Sequence, residues 1–347
     1  MVTHSDKQKY GQTIAVFGAS GHTGRFMVTQ LLGRGFTPLA IGRDSAKMAA
    51  SGFLERGVEI RTASVKDPAS LDRSLAGAAA VINCAGPFLD TAEAVATAGL
   101  RARIHYLDVT AEQPSAQAIF DKFGNAATEA GVVFLPAMGF YGGFADLLTT
   151  AAMGDWDSAD EIRLGTALDS WRPTLGTRIT GRQNLAPRMV IEDGNFVPLA
   201  QPAPQAFWDF PEPFGRQDVS EVPFSEVPVI ARHVRVARLR SYLNNAPLRD
   251  LRDATTPSPI AADESGRSAQ TFLVDVVVRK GKRNRRAIAQ GRDIYAFTAP
   301  LVVEAVERIL DGRTRGTGAL APGETFDATD FLRALTPEYL TFELNVD

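Results

Sequence analysis

Apolar and polar positions follow two rhythms along this chain. Over the first 140 residues, short β-rich runs alternate with stretches of helical spacing. The run 13–17 is apolar and ends at Gly18; the stretch 24–32 places Phe26, Met27, Leu31 and Leu32 for burial; 38–41 is apolar again. The alternation continues with a helix at 45–50, a strand at 58–62, a helix opened by Asp67-Pro68, a strand at 79–84 and a helix at 91–98. A strand at 105–109, a helix at 114–130 and a strand at 132–135 complete it. Six strands separated by helices of this size predict parallel βαβ units in one Rossmann-type doubly wound sheet.

The rhythm changes after Pro136. A helix at 143–153 is followed by longer strand candidates at 161–168, 188–192, 229–239 and 270–279, with Pro-rich loops between them. This predicts a second, α+β domain with a mostly antiparallel sheet. Helical spacing returns at 298–310 and 328–335. The expected organisation is a nucleotide-binding domain over 1–140, a substrate or dimerisation domain over 141–297 and C-terminal helices over 298–347. A homodimer is the assembly such a second domain would allow.

Composition narrows the function. With 37 basic and 40 acidic residues the net charge is -3, so no bulk electrostatic case exists for nucleic acid or an anionic membrane. The single cysteine, Cys84, excludes an internal disulfide, and the four histidines show no paired metal-ligand spacing. The polar N-terminus carries no signal-peptide pattern and no apolar run is long enough to span a membrane, so the cytoplasm is the expected compartment.

The stretch VFGASGHTGRF, 16–26, joins the first strand to the first helix. Gly18, Gly21 and Gly24 give G-x-x-G-x-x-G. Glycines here allow a tight turn, close approach of a diphosphate and close packing of helix on sheet. The helix N-terminus then offers N–H groups and partial positive charge to phosphates. Ser20 and Thr23 add hydroxyl donors, and His22 lies within the loop. Gly42-Arg43-Asp44 ends the second strand, where an arginine favours a 2′-phosphate and an acid a free ribose hydroxyl. Arg43 therefore favours NADP over NAD, while Asp44 reads as either ribose ligand or helix cap. Cys84, Ala85, Gly86 and Pro87 end the fourth strand beside the topological switch point, where small residues admit a nicotinamide ribose.

Several stretches together resemble the saccharopine dehydrogenase-like oxidoreductases, including trans-acting enoyl reductases. They are GASGHTGRF at 18–26, IGRD at 41–44, VINCAGPF at 81–88, HYLDVTAE at 105–112 and PAMGFYGG at 136–143, with looser matches at 295–305 and 318–324. The resemblance implies an NADP-type Rossmann domain, a mixed α/β second domain and a C-terminal helix packing on the first. It also implies hydride transfer to a C=N or activated C=C bond. The chain departs from that pattern at Tyr141, where relatives tend to carry aspartate.

Chemistry residues are few. None of the six tyrosines has a lysine four residues on, which argues against the short-chain dehydrogenase mechanism. Tyr141, in a glycine-rich turn after the sixth strand, is a candidate proton donor. Its other reading is an interdomain packing aromatic. Asp108, ending the fifth strand, is a candidate for orienting substrate or for capping a loop. Cys84 reads as a small buried apolar group. His105 reads as structural. The arginines around His233 read as a solvated strand face or an anion-binding one. The basic run 279–286 reads as a hairpin loop or as a docking patch for an acyl carrier protein. The aromatic segment 204–215 reads as a lid or as a loop anchored by its own rings. The function expected is an NADP(H)-dependent oxidoreductase acting on a small molecule or acyl group. The alternative is a non-catalytic NADP-binding redox sensor.

Overall fold

A computed structural model describes residues 11–345. His4, Tyr10 and the polar N-terminal stretch lie outside the described residues. The chain separates into two compact units, one ending its main portion at Gly139 and the other spanning Phe140–Phe297.

In the first unit, β1 (Thr13–Phe17), β2 (Thr37–Gly42), β3 (Glu59–Thr62), β4 (Ala80–Asn83), β5 (His105–Asp108) and β6 (Val133–Leu135) form one parallel sheet. Helices α1 (His22–Gly33), α2 (Ser45–Ala49), α3 (Pro68–Leu75), α4 (Phe88–Ala102) and α5 (Gln113–Ala130) supply the crossovers. Sheet order is β3-β2-β1-β4-β5-β6, the doubly wound arrangement, extended by a seventh strand, Gly318–Ala319, parallel to β6. The central strands β1 and β4 read as continuous apolar runs because both faces are covered: Ile14, Ala15, Val16, Val81 and Ile82 have no exposed surface. Order reverses between β1 and β4, which are direct neighbours. Their carboxyl ends, Phe17-Gly18 and Asn83-Cys84, therefore share one sheet edge.

The second unit is built on a nine-stranded sheet. Strands β7 (Ser158–Leu168), β8 (Met189–Glu192), β9 (Asn195–Pro198), β10 (Gln205–Asp209), β11 (Arg216–Glu221), β12 (Arg235–Asn244), β13 (Thr271–Lys280) and β14 (Arg283–Arg292) come from the middle of the chain. Gly318–Ala319 counts as β15, and β16 (Leu340–Asn345) completes the nine. The path is β10-β11-β12-β7-β13-β14-β16, with β8 and β9 branching from β12; only β7 and β12 pair in parallel. The helices after β6 are α6 (Ala145–Met153), α7 (Leu175–Gln183), α8 (Glu226–Ala231), α9 (Asn245–Arg252), α10 (Ile294–Leu310), most of which belongs to the first unit, α11 (Pro322–Thr325) and α12 (Ala328–Ala334). Helix α6 packs against β13 and β14. A π-helical turn, Phe140–Phe144, runs directly into α6 and sets Phe140 and Phe144 among Phe272 and Phe297, with ring separations of 4.8 to 6.3 Å.

Two expectations change here. The stretch read as one strand over 229–239 is a helix, α8, followed by β12, because Val227, Pro228, Val229 and Ile230 bury as a helical turn. The C-terminal segment divides rather than returning whole: 298–320 belongs to the first unit and 321–347 to the second, where β16 pairs with β14.

Candidate functional site

The turn leaving β1 is folded too tightly for side chains. Gly18 has φ +83°, and a Cβ there would lie 2.9 Å from Ala85 at the end of β4. A Cβ on Gly24 would lie 2.4 Å from the Gly18 carbonyl oxygen and 2.8 Å from Ala19. The Gly21 amide donates to the Gly18 carbonyl at 3.0 Å and closes the turn. Gly21 is also the N-cap of α1; no side chain caps this helix, and its first turn carries no acid. A 12-residue helix thus presents its N-terminus at the switch point with nothing of its own to neutralise it. That arrangement fits a diphosphate. Ser20, His22 and Thr23 lie in the same turn, partly exposed.

Across the sheet edge the loop after β4 is held by its own bonds. The Asn83 side chain accepts from the Ala85 amide at 3.0 Å, and Thr91 donates to the Ala85 carbonyl at 2.6 Å. The backbone at Ala85, Gly86 and Pro87 is thereby fixed beside Gly18. At the end of β2, the Asp44 side chain accepts from the Lys47 amide at 2.9 Å and caps α2. Arg43 is exposed, and no ion pair engages it among the described residues.

Asp108 and Cys84 are both accounted for without a ligand. Asp108 is fully buried, accepting from Tyr106 Oη at 2.8 Å, Ala137 N at 2.8 Å and Thr110 N at 3.0 Å. Burial raises its pKa, and these three donors work against the rise. The carboxylate latches the loop after β6 onto β5 and holds Ala137 at φ +56°. The Cys84 thiol is pushed up to about 12, first by burial and then by the charge of Asp108, which is the chemistry of an inert thiol. His105 accepts from the Val133 amide at 3.0 Å, and burial lowers its pKa.

Tyr141 belongs to the second unit. Its ring packs 4.2 Å from Phe224, 5.0 Å from Phe140 and 5.7 Å from Trp171. Its hydroxyl is buried with no hydrogen-bond partner among the described residues. Burial, then the nearby Tyr295 and Glu226, raise its pKa well above the ordinary phenol value.

Residues 10–103 match the NmrA-like family model. The chain is 29% identical over 154 residues to a saccharopine dehydrogenase-like oxidoreductase of Bos taurus, covering 39% of this chain and 35% of that one. A probable mitochondrial saccharopine dehydrogenase-like oxidoreductase of Arabidopsis thaliana is 30% identical over 144 residues, 37% of this chain and 31% of that one. The chain thus spans about a third of the length of these relatives. Among solved structures, apo saccharopine dehydrogenase (L-Glu forming) from Saccharomyces cerevisiae superposes with a TM-score of 0.66 at 13% identity, over 97% of this chain and 100% of that one. The fold is that of saccharopine dehydrogenase.

Within this saccharopine dehydrogenase-like fold, the features left with two readings become specific. The basic run is a tight β13–β14 hairpin turning at Gly281, φ +61°. Its cations are largely paired within the chain: Lys280 with Asp157, Arg279 with Glu161, Arg285 with Asp155 and Arg286 with Asp275. The segment 204–215 is anchored by its own rings, since Trp208 and Phe210 are buried in the core with Val219 and Leu273, and Trp208 Nε1 donates to Asp275 at 2.8 Å. The arginines of β12 pair with acids, while His233, in the turn before β12, binds Asp146 at 2.7 Å. The residues that sequence reasoning did not find are those around Tyr141, namely Trp171, Arg188, Phe224 and Glu226. They come from segments with no clean period, and no motif marks them.

No helix among the described residues is long and apolar enough to cross a membrane, and no group of three or more His, Cys, Asp or Glu gathers there for a metal.

Proposed function

We propose that this chain is an NADP(H)-dependent oxidoreductase that delivers hydride to an electron-poor C=N or C=C bond of a small-molecule or acyl substrate. The observation that carries the reading is the Gly18–Gly24 turn. It brings bare backbone and an uncapped helix N-terminus to the β1–β4 switch point. Similarity of 29–30% over 154 and 144 residues to named oxidoreductases supports it.

The nucleotide, when bound, supplies the hydride. The protein's part is to hold and orient. Gly18, Ser20, Gly21, His22, Thr23 and Gly24 would line the diphosphate. Ala85, Gly86 and Pro87, with Cys84, would border the nicotinamide ribose. Arg43 would pair with a 2′-phosphate: among the described residues no ion pair engages its guanidinium, and the acid beside it, Asp44, caps α2. Tyr141, in the second unit, is the candidate proton donor: among the described residues its buried hydroxyl has no hydrogen-bond partner, and its raised pKa keeps it protonated. Asp108 would act only as a positioning residue, holding the loop after β6.

A second reading, an NADP-binding redox sensor, draws on one observation: Asp108, the carboxylate at this sheet edge, is wholly engaged in structure. Two measurements separate the readings. NADPH and NADH are titrated by nucleotide fluorescence, and absorbance at the NADPH band is followed with candidate imines and enoyl thioesters. Tight NADPH binding with substrate-dependent absorbance loss supports the enzyme. Tight binding with no loss across both substrate classes supports the sensor, and no binding of either nucleotide removes both.

A further inference from the structure

The second unit holds a side-chain group that the nucleotide site does not use. Phe224 packs against Tyr141 at 4.2 Å and carries the Arg188 guanidinium over its ring at 4.7 Å; Trp171 stands on Tyr141 at 5.7 Å. The group is a run of flat faces with a guanidinium at one end. Arg188 is fixed at its root, because the adjacent Met189 exchanges two bonds, of 2.7 and 2.8 Å, with the Gln113 side-chain amide. Its guanidinium donates to the Pro223 carbonyl at 2.5 Å.

Charge balance sets Arg188 apart. Arg235, Arg238 and Arg240 on the neighbouring β12 each hold a carboxylate, from Asp157, Glu192 or Glu221. Arg188 has none within ion-pair distance among the described residues; its recorded partners are a carbonyl and a ring. The acid closest in influence, Glu226, spends both oxygens on the Phe224 amide, at 2.9 and 3.1 Å. Burial also pushes the Glu226 carboxyl up to about 7, so it is a weak counter-ion at neutral pH. Burial lowers the Arg188 pKa, yet a guanidinium stays charged. The side chain nonetheless remains accessible to solvent. Beside it, the buried Tyr141 hydroxyl lacks a partner. A buried donor left unpaired is costly, so the Tyr141 hydroxyl has reason to meet an acceptor.

We infer that Arg188, Phe224, Trp171 and Tyr141 recognise a carboxylate carried on a flat, conjugated or aromatic group. The guanidinium pairs with the carboxylate, the rings cover the conjugated plane, and the Tyr141 hydroxyl faces the unsaturated bond. The inference rests on the oxidoreductase reading for the fate of that bond, but not for the binding. A planar fork suits a carboxylate through two parallel bonds. The aromatic faces disfavour a saturated, puckered carrier.

The test uses the full chain without nucleotide, with benzoate as probe, tryptophan fluorescence as readout and Trp171→Phe to assign the signal. Benzoate is expected to bind, with benzamide and the saturated dicarboxylate glutarate each about tenfold weaker. Arg188→Gln should weaken benzoate at least about tenfold while leaving melting temperature and NADPH affinity unchanged. If that variant does not fold, Arg188→Lys keeps the charge but loses the fork, and should still cost several-fold. No benzoate binding, equal binding of benzoate and benzamide, or an unchanged benzoate affinity in the arginine variant that folds would overturn the site. Glutarate binding as well as benzoate would overturn its preference for flat groups. A chain that binds benzoate but neither nucleotide keeps this site and sinks the oxidoreductase reading; the reverse result does the opposite.

Discussion

At the scale of single residues, the glycines of the first turn make opposite demands from those elsewhere. Gly24 has backbone atoms within 3 Å of where a Cβ would stand, and these cannot rotate away. Gly33, at the end of the same helix, has nothing within 4 Å and no positive φ. Gly24→Ala should therefore destabilise by about 1–3 kcal/mol and abolish nucleotide binding. Gly33→Ala should be neutral or stabilising by up to about 1 kcal/mol, through helix propensity. Thermal melts with NADPH titration check both, and a Gly24→Ala protein that binds NADPH normally would remove the turn from the diphosphate role. Arg43 makes the complementary prediction. Arg43→Ala should weaken NADPH by about 1.5–3 kcal/mol, the worth of a charge-assisted bond, and leave NADH nearly unchanged. Equal losses for the two nucleotides would mean that Arg43 does not read the 2′-phosphate.

At the scale of elements, the C-terminal turn α11 is tied to α6 through Asp146. This buried carboxylate accepts from Gly323 N at 2.6 Å and binds His233 Nε2 at 2.7 Å. Burial on its own would lower the His233 pKa; the charge and hydrogen bond of Asp146, with Glu324 beyond, raise it overall. A histidine whose pKa is higher folded than unfolded stabilises the protein fully below its unfolded value, about 6.5. That stability is lost as pH rises through the folded value. Wild type should therefore lose melting temperature relative to His233→Gln between pH 6 and pH 9, and hydrogen exchange at 321–327 should quicken in parallel. Parallel melting curves for the two proteins across that range would show that the pair contributes nothing to pH dependence. Sequence made the first unit's elements readable because most of its strands are short apolar runs, β1 and β2 closed by Gly18 and Gly42, alternating with stretches of helical spacing. The second unit was less readable for a physical reason. His233 and the arginines of β12 gave a strand-like apolar alternation that ran on into 229–231, where the buried contacts of Val227 and Ile230 favour a helix. Likewise Arg188 and Phe224 become a site only through pairing of distant strands, which no local spacing encodes.

At the scale of the whole molecule, the first unit is discontinuous in sequence. Its seventh strand and all but the first four residues of α10 come from 298–320. Gly318 donates to the Val132 carbonyl at 2.8 Å and Leu320 to the Phe134 carbonyl at 3.0 Å, so β6 is an interior strand only when this segment is present. Arg34, at the end of α1, bonds Glu304 at 3.1 Å and Glu307 at 2.9 Å. Glu304 is itself buried and bonded to Arg308 at 2.8 Å. A fragment of residues 11–139 would leave Arg34 without these acids and β6 as an exposed apolar edge, which invites pairing with other chains. That fragment should aggregate or melt well below the intact protein. The same fragment fused through a flexible linker to 298–320 should be monomeric, cooperative in its melt and able to bind NADPH. Size exclusion, circular dichroism and nucleotide titration on the two fragments give the answer. If the shorter fragment alone is monomeric, equally stable and equally competent for NADPH, then the nucleotide site is complete by residue 139 and the returning segment serves only to extend the sheet.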